Sequence, residues 1–150
     1  MLDAHAVVLT HAHIDHRGYL PALVRAGWNG AIHCTQGTAD LCRILLPDAA
    51  WLQEEDARHA AGHGYSRHAK PKPLFTRADA EKALGLLVPQ DFHEPTRIAP
   101  GIDLSFSRAG HILGASCVHL RVDGRHVVFS GDVGGLRRPG YESSRSFGAC

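Results

Sequence analysis

Four side chains that can bind a metal ion lie within six consecutive residues near the start of the chain. They are His11, His13, Asp15 and His16. Neutral imidazole and carboxylate groups are the ligands expected for zinc, manganese or iron at catalytic sites. In an extended stretch His11 and His13 project to the same side, whereas a turn at Ile14 would direct Asp15 and His16 elsewhere. The segment predicts a loop that can serve two metal ions; a polar loop with unrelated histidines is the alternative.

Two further candidate ligands follow at the ends of predicted strands. His111 is flanked by small residues in the segment 109–115, which would let the backbone approach a metal closely. Asp132 comes just after the apolar run that ends at Phe129. Taken alone, His111 is more often a surface or capping histidine, and Asp132 a turn aspartate. Beside the first motif both favour metal binding, because a strand end is a rigid place for a carboxylate that can bridge two cations.

Strands and helices alternate in the first half of the chain. The apolar run 6–9 predicts a buried strand that stops at the histidine motif. The elements predicted after it are a helix over 18–26, a strand over 31–34, a helix capped by Thr35 that Pro47 interrupts, and a second helical stretch over 49–61. A capping box that begins at Thr76 predicts a further helix, which carries Ala80, Ala83, Leu84 and Leu87.

After Pro89 the hydrophobic period changes to two, which predicts strands over 97–99 and 102–106. Two further apolar runs, 117–122 and 125–130, flank Asp123-Gly124, a strong signal for a β-hairpin. Helices among the first strands, followed by consecutive strands, predict an α+β sandwich with antiparallel pairing rather than a doubly wound sheet.

A basic stretch without any acidic residue runs from residue 58 to residue 77. Its cations are Arg58, Arg67, Lys70, Lys72 and Arg77. The segment 62–73 within it reads as a loop. One interpretation is a solvated loop; the other is a patch that contacts the phosphates of a nucleic acid beside an active site.

Composition limits the classes of protein. The 150 residues suggest one domain, and 16 Lys plus Arg against 15 Asp plus Glu give a formal charge of +1, which argues against a surface that is basic throughout. No apolar run approaches the ~18 residues of a membrane span, and the first residues lack the features of a secretory signal. Four cysteines without Cys-x-x-Cys spacing indicate a reduced, cytoplasmic setting.

The candidate ligands also carry a resemblance to a known family. Three segments resemble motifs two, three and four of the metallo-β-lactamase fold. In order, they are His11-x-His13-x-Asp15-His16, Gly110-His111 and Ser130-Gly131-Asp132. The long insert between the second and third motifs, and the phrase 109–115, resemble the β-CASP branch. That branch comprises RNA-processing nucleases, including the cleavage-factor endonuclease of messenger-RNA 3′ ends.

This resemblance implies a site with two zinc ions. His11, His13 and His111 would hold one ion, Asp15 and His16 the other, and Asp132 would bridge them. A water or hydroxide between the ions would attack an RNA phosphodiester bond, with Asp15, Asp132 and His111 in the catalytic centre. The basic stretch would supply the contacts to RNA.

The resemblance also implies parts that this sequence does not show. The family has strands and an aspartate motif upstream, and a β-CASP domain with further histidines downstream. We therefore expect residues 1–135 to be part of a four-layer αββα sandwich and the polar segment 136–150 to be a disordered or atypical tail. Weak or absent activity of this polypeptide alone is expected, since a metal ligand and the general acid would be missing.

Two other functions remain open at this point. One is a small-molecule hydrolase of the same superfamily, such as a thioester hydrolase, which would share the first motif. The other is a non-catalytic subunit that binds RNA or acts as a scaffold. The six retained candidate ligands favour the enzyme. The patterns do not indicate an oligomeric state.

Overall fold

Two β-sheets and four helices make up the described part of the chain. The computed structural model describes residues 3–63, 68 and 70–135. The predicted tail 136–150 and the basic residue Arg67 lie outside these residues. Among the described residues, no helix is both long and apolar enough to cross a membrane.

The first sheet is parallel and contains three strands. Its strands are β1 (Ala6–Val8), β2 (Ala31–Thr35) and β3 (Leu87–Gln90), in that spatial order. Parallel neighbours need crossover connections, and helices supply them. Helices α1 (Ile14–Arg17) and α2 (Leu20–Arg25) follow β1, and helices α3 (Gln36–His63) and α4 (Arg77–Leu84) lie between β2 and β3. The predicted antiparallel pairing is therefore wrong for this sheet.

The second sheet is antiparallel and contains four strands that follow one another in sequence. They are β4 (Thr96–Ala99), β5 (Ile102–Arg108), β6 (Ser116–Val122) and β7 (Arg125–Phe129). The hairpin predicted at Asp123-Gly124 joins β6 to β7, with φ of 49° and 76° at its two central residues. Positive φ at both positions gives the twist that a two-residue hairpin requires.

The core lies on both sides of the first sheet. On one side, buried residues of β2 pack with α2, α3 and α4; examples are Ile32, Leu23 and Leu46. On the other side, Val8 of β1 packs against the buried cluster of Leu104, Phe106 and Val118 in the second sheet. Helices, first sheet and second sheet thus form successive layers, and the predicted α+β class with two packed sheets is confirmed.

Two predicted boundaries in the helical half are wrong. Pro47 lies inside one continuous helix rather than between two, because the buried neighbours Leu46 and Ala50 hold both halves of α3 against the core. Leu87 belongs to β3, where it pairs with Ile32 of β2, and not to the preceding helix. A short apolar run in a parallel strand has the same appearance in sequence as the end of a buried helix.

The capping box at Thr76 is present and gives a test of the fold. The Thr76 backbone N–H and hydroxyl donate to the Asp79 carboxylate at 2.9 and 2.8 Å, and the Asp79 backbone N–H donates to the Thr76 hydroxyl at 3.3 Å. The backbone N–H of Thr76 lowers the pKa of Asp79 most, although burial opposes the shift. We expect Thr76→Ala to lower the free energy of unfolding by about 1 kcal/mol, measured by urea denaturation.

The same box predicts a pH dependence. Because the folded-state pKa of Asp79 lies below its usual value of about 4, the stabilisation is present above that value and is lost as pH falls through the folded pKa. Asp79→Asn should remove this part of the acid sensitivity. Glu81→Gln is the control on the same helix, since Glu81 is exposed; an equal effect of both variants on the acid limb would contradict the prediction.

Candidate metal centre

Four of the predicted ligands converge on one point. One ligand atom from each of His11, His13, His111 and Asp132 lies within 4.8 Å of every other. His13 Nδ1 is 3.1 Å from His11 Nε2 and 3.2 Å from His111 Nε2. Asp132 Oδ2 completes the group at 3.7 Å from His11 Nε2 and 3.5 Å from His111 Nε2.

The second carboxylate oxygen of Asp132 faces a different group. Asp132 Oδ1 lies 3.6 Å from His16 Nε2, which in turn lies 3.5 Å from Asp15 Oδ2. Asp132 therefore stands between the three-histidine group and the pair formed by Asp15 and His16. This is the division of ligands that the sequence resemblance implies.

The donor set suits a zinc ion by its chemistry, and the spacing of its nitrogens around His13 is near that of a zinc site. In a tetrahedral site with Zn–N bonds of about 2.0–2.1 Å, ligand atoms lie about 3.3–3.4 Å apart. The nitrogen–nitrogen contacts through His13 are close to this value. Burial lowers the pKa of His11, and His16 lowers it further, while Asp132 raises it. A lowered pKa favours the neutral imidazole, which is the form that binds metal.

Exposure differs from one end of the centre to the other. The side chain of His11 is fully buried, whereas those of Asp132 and Asp15 are 46% and 72% exposed. The three-histidine group is therefore anchored on the protein interior, and the two carboxylates face the solvent. A ligand would reach the centre from the side of Asp15.

Hydrogen bonds between sheet edges bring the separate segments together. The backbone N–H and hydroxyl of Ser116, at the start of β6, both donate to the Thr10 carbonyl at 2.9 Å. The Gly134 N–H donates to the Ala109 carbonyl, also at 2.9 Å. The first contact ties the His11 segment to the second sheet, and the second ties the Asp132 loop to the His111 loop.

The His111 loop is also held by the first turn of α3. The hydroxyls of Thr35 and Thr38 donate to the Gly114 carbonyl at 2.6 and 3.0 Å. Gly114 has a φ of +74°, and a Cβ at this position would lie 2.1 Å from the Thr38 nitrogen. The sequence predicted Thr35 only as a helix cap, and its hydroxyl does accept the Thr38 N–H, at 3.3 Å. The contact of Thr35 with the His111 loop was not predicted.

Comparison with known proteins gives the family. The sequence model of the protein family described as the metallo-beta-lactamase superfamily matches residues 2–147 of this chain. The chain belongs to the metallo-beta-lactamase superfamily. The membership predicted from the three motifs is thereby confirmed.

Curated relatives of this superfamily member are much longer proteins. It is 37% identical over 132 residues to "Ribonuclease TTHA0252" of Thermus thermophilus, covering 88% of this chain and 26% of the relative. It is 38% identical over 142 residues to "Transcription termination factor FttA" of Methanothermobacter thermautotrophicus, covering 93% of this chain and 19% of the relative. The chain thus spans about a quarter or less of the length of these relatives, whose names agree with the resemblance to the RNA-processing branch.

Arg58, the first cation of the basic stretch of this metallo-beta-lactamase chain, lies away from the centre. Arg58 is 22 residues beyond Gln36, which places it about 33 Å along α3 from the end that contacts the His111 loop. Arg58 forms an ion pair with Glu55, and Arg77 lies 3.3 Å from Glu81, so the fold supplies acids that the stretch itself lacks. Arg58 therefore does not lie beside the candidate metal ligands. Lys70 and Lys72 are exposed, and RNA contact by the patch remains a prediction.

The contact at Gly114 gives a second test. We expect Gly114→Ala to destabilise the fold by about 1–2 kcal/mol from its positive φ and by about 1–3 kcal/mol more from overlap with the backbone of α3. The variant should also weaken zinc binding, because His111 lies on the displaced loop. Thermal unfolding and a zinc titration measure both effects.

Gly110→Ala is the matched control in the same loop. Gly110 has a φ of +69°, yet a Cβ there meets no atom within 4 Å. The loss of unfolding free energy in Gly110→Ala should therefore reflect the positive φ alone. Equal losses of stability and zinc affinity in the two variants would show that the contact with α3 does not position His111.

Proposed function

We propose that the chain carries the metal-binding catalytic core of a hydrolase that cleaves RNA phosphodiester bonds with two zinc ions. The observation that carries this proposal is the position of Asp132, whose two oxygens face two separate groups of ligands. A carboxylate shared in this way is suited to hold two cations a few ångströms apart, which is the arrangement used for in-line displacement at phosphorus.

Each candidate ligand has a distinct part in the proposal. His11, His13 and His111 would hold the first zinc, Asp15 and His16 would hold the second, and Asp132 would serve both. When bound, the two cations supply a lowered pKa for an attacking water and neutralise charge on the phosphate. The fully buried ring of His11 anchors this end of the centre in the protein interior.

The two exposed carboxylates, those of Asp15 and Asp132, lie on the solvent side of the centre, from which the substrate would approach. Asp15 is the more exposed of the two and lies beside His16. In this position its free oxygen would accept a proton from the attacking water as that water forms its bond to phosphorus. The bond from phosphorus to the leaving ribose oxygen would break in line with it, and the leaving oxygen would take a proton from solvent. Asp132 aligns the two ligand groups and is less free to move, since Gly134 in its loop is bonded to the Ala109 carbonyl.

An RNA substrate is favoured over a small ester by two considerations. Two relatives that cover most of this chain are named as a ribonuclease and a transcription termination factor. A two-cation centre that opens to solvent at its carboxylate end also suits a charged, extended substrate better than an enclosed apolar one.

The cysteines Cys34, Cys42 and Cys117 are all free thiols, which agrees with a reducing, cytoplasmic location.

Zinc stoichiometry tests the proposed centre. We expect the full chain to bind zinc, His13→Ala to weaken the first site at least tenfold, and Asp132→Ala to weaken both, because Asp132 faces both ligand groups. Isothermal titration with elemental analysis measures the number and affinity of the ions. His59→Ala, an exposed histidine on α3, is the control and should leave binding unchanged.

Cleavage of a labelled RNA separates the enzyme from a binding subunit. Any cleavage by the zinc-loaded chain should disappear in His13→Ala while RNA binding persists. A chain that binds RNA equally with and without His13, and cleaves in neither form, would favour a non-catalytic binding subunit. A chain that hydrolyses a thioester but not RNA would contradict the proposed substrate.

The remaining basic residues are proposed to contact phosphates. Replacing Lys70 and Lys72 by Glu should weaken RNA binding and reduce the slope of log K against log salt by about 0.7 for each phosphate that the variant no longer neutralises. Fluorescence anisotropy over a range of salt concentrations measures this slope. Arg43→Glu, on the exposed face of α3 near its other end, makes half of this change in net charge. A change of slope half as large there would show that only net charge acts.

A further inference from the structure

Arg17 is an arginine buried next to the metal centre. It is the last residue of α1, follows His16 directly, and is only 5% exposed. Burial lowers the pKa of its guanidinium, whereas Cys42 and Asp48 of α3 raise it; an arginine nevertheless stays protonated. Buried cations are rare in proteins because they lose their hydration, so Arg17 needs partners that compensate for the loss.

The partners of Arg17 belong to the segment that carries His11 and His13. The Arg17 Nε–H donates to the Ala12 carbonyl at 2.7 Å, within the protein interior. The Arg17 backbone N–H donates to the next carbonyl, that of His13, at 3.0 Å. One residue therefore holds two consecutive carbonyls of the metal-binding segment.

These two bonds fix the orientation of the peptides on either side of His13, the first of which joins Ala12 to His13. Ala12 is fully buried, so its carbonyl finds no water to replace the arginine. The rings of His11 and His13 project from the residues on either side of Ala12, and their nitrogens are 3.1 Å apart. Any rotation about the Ala12 backbone changes the distance between these two nitrogens.

We propose that Arg17 is a positioning residue that holds the Ala12 carbonyl and thereby keeps His11 and His13 directed at one metal ion. The inference rests on the proposed function, since it assigns Arg17 to the same centre. Arg17 does not touch the metal or the substrate. It acts through the backbone between two ligands and sets their geometry before any ion arrives.

Two variants of Arg17 test the role of the Nε–H. Arg17→Met removes the donor and the charge. Arg17→Lys keeps the charge near Cys42 and Asp48 but places its Cε methylene where the Nε–H lies, so it has no donor at that point. Arg43→Met, an exposed arginine on α3 that pairs with Asp40, is the matched control.

Cobalt(II) binding to the full chain is the first measurement. The affinity and visible absorption of bound cobalt report on ligand geometry, and circular dichroism identifies the temperatures at which each variant is folded. We expect both Arg17 variants to bind cobalt about tenfold or more weakly, with a changed spectrum, and Arg43→Met to match the wild type. Should Arg17→Met fail to fold, Arg17→Lys decides the result.

Amide hydrogen exchange of the metal-free chain is the second measurement. We expect faster exchange in a peptide that covers residues 9–20 of Arg17→Lys and unchanged exchange in β5 and β6. Exchange that rises equally over the whole chain would overturn the inference, because it would show only a loss of global stability.

The outcomes separate this inference from the proposed function. Wild-type cobalt affinity in folded Arg17→Lys would overturn the role of Arg17 and leave the metal centre in place. Absence of cobalt binding in the wild-type chain would overturn both. Weaker binding with local loss of protection supports the inference.

Discussion

The structure depends on a convergence of electron-rich groups that is unfavourable by itself. Nitrogens of His11, His13 and His111 and an oxygen of Asp132 lie within 4.8 Å of one another. Neutral imidazoles that direct lone pairs at one point repel each other, and their hydrogen bonds with one another are limited by the protons available. Such a group persists because the surrounding backbone holds it, and a cation at its centre would turn the repulsion into attraction.

The backbone that holds the group comes from three separate regions. The Thr10 carbonyl accepts two hydrogen bonds from Ser116, the His111 loop rests on the first turn of α3 through Gly114, and the Asp132 loop is bonded to Ala109. Each contact joins segments far apart in the sequence. The two sheets thus have a functional as well as a packing role, because their facing edges bring the ligands to one place. Arg17 adds a local bond within the first segment.

Sequence patterns predicted the elements better than their boundaries. The hairpin at Asp123-Gly124 and the capping box at Thr76 were predictable, because each depends on a few neighbouring residues with specific hydrogen bonds. The uninterrupted α3 and the strand that contains Leu87 were not, because burial against the core and pairing with Ile32 override the local signals. The distance of Arg58 from the candidate ligands was not predictable either, since it depends on the length and direction of α3.

The sequence by itself determined which residues can bind metal and which family they resemble, because ligand types and short spacings are local properties of the chain. It also determined the α+β class through the change in hydrophobic period near Pro89. Only the tertiary structure decided that Asp132 lies between two ligand groups and that Gly114 must lack a side chain. Only the tertiary structure buried Arg17 against the Ala12 carbonyl. These features depend on burial and on approaches between distant segments, and no single segment encodes how closely others approach it.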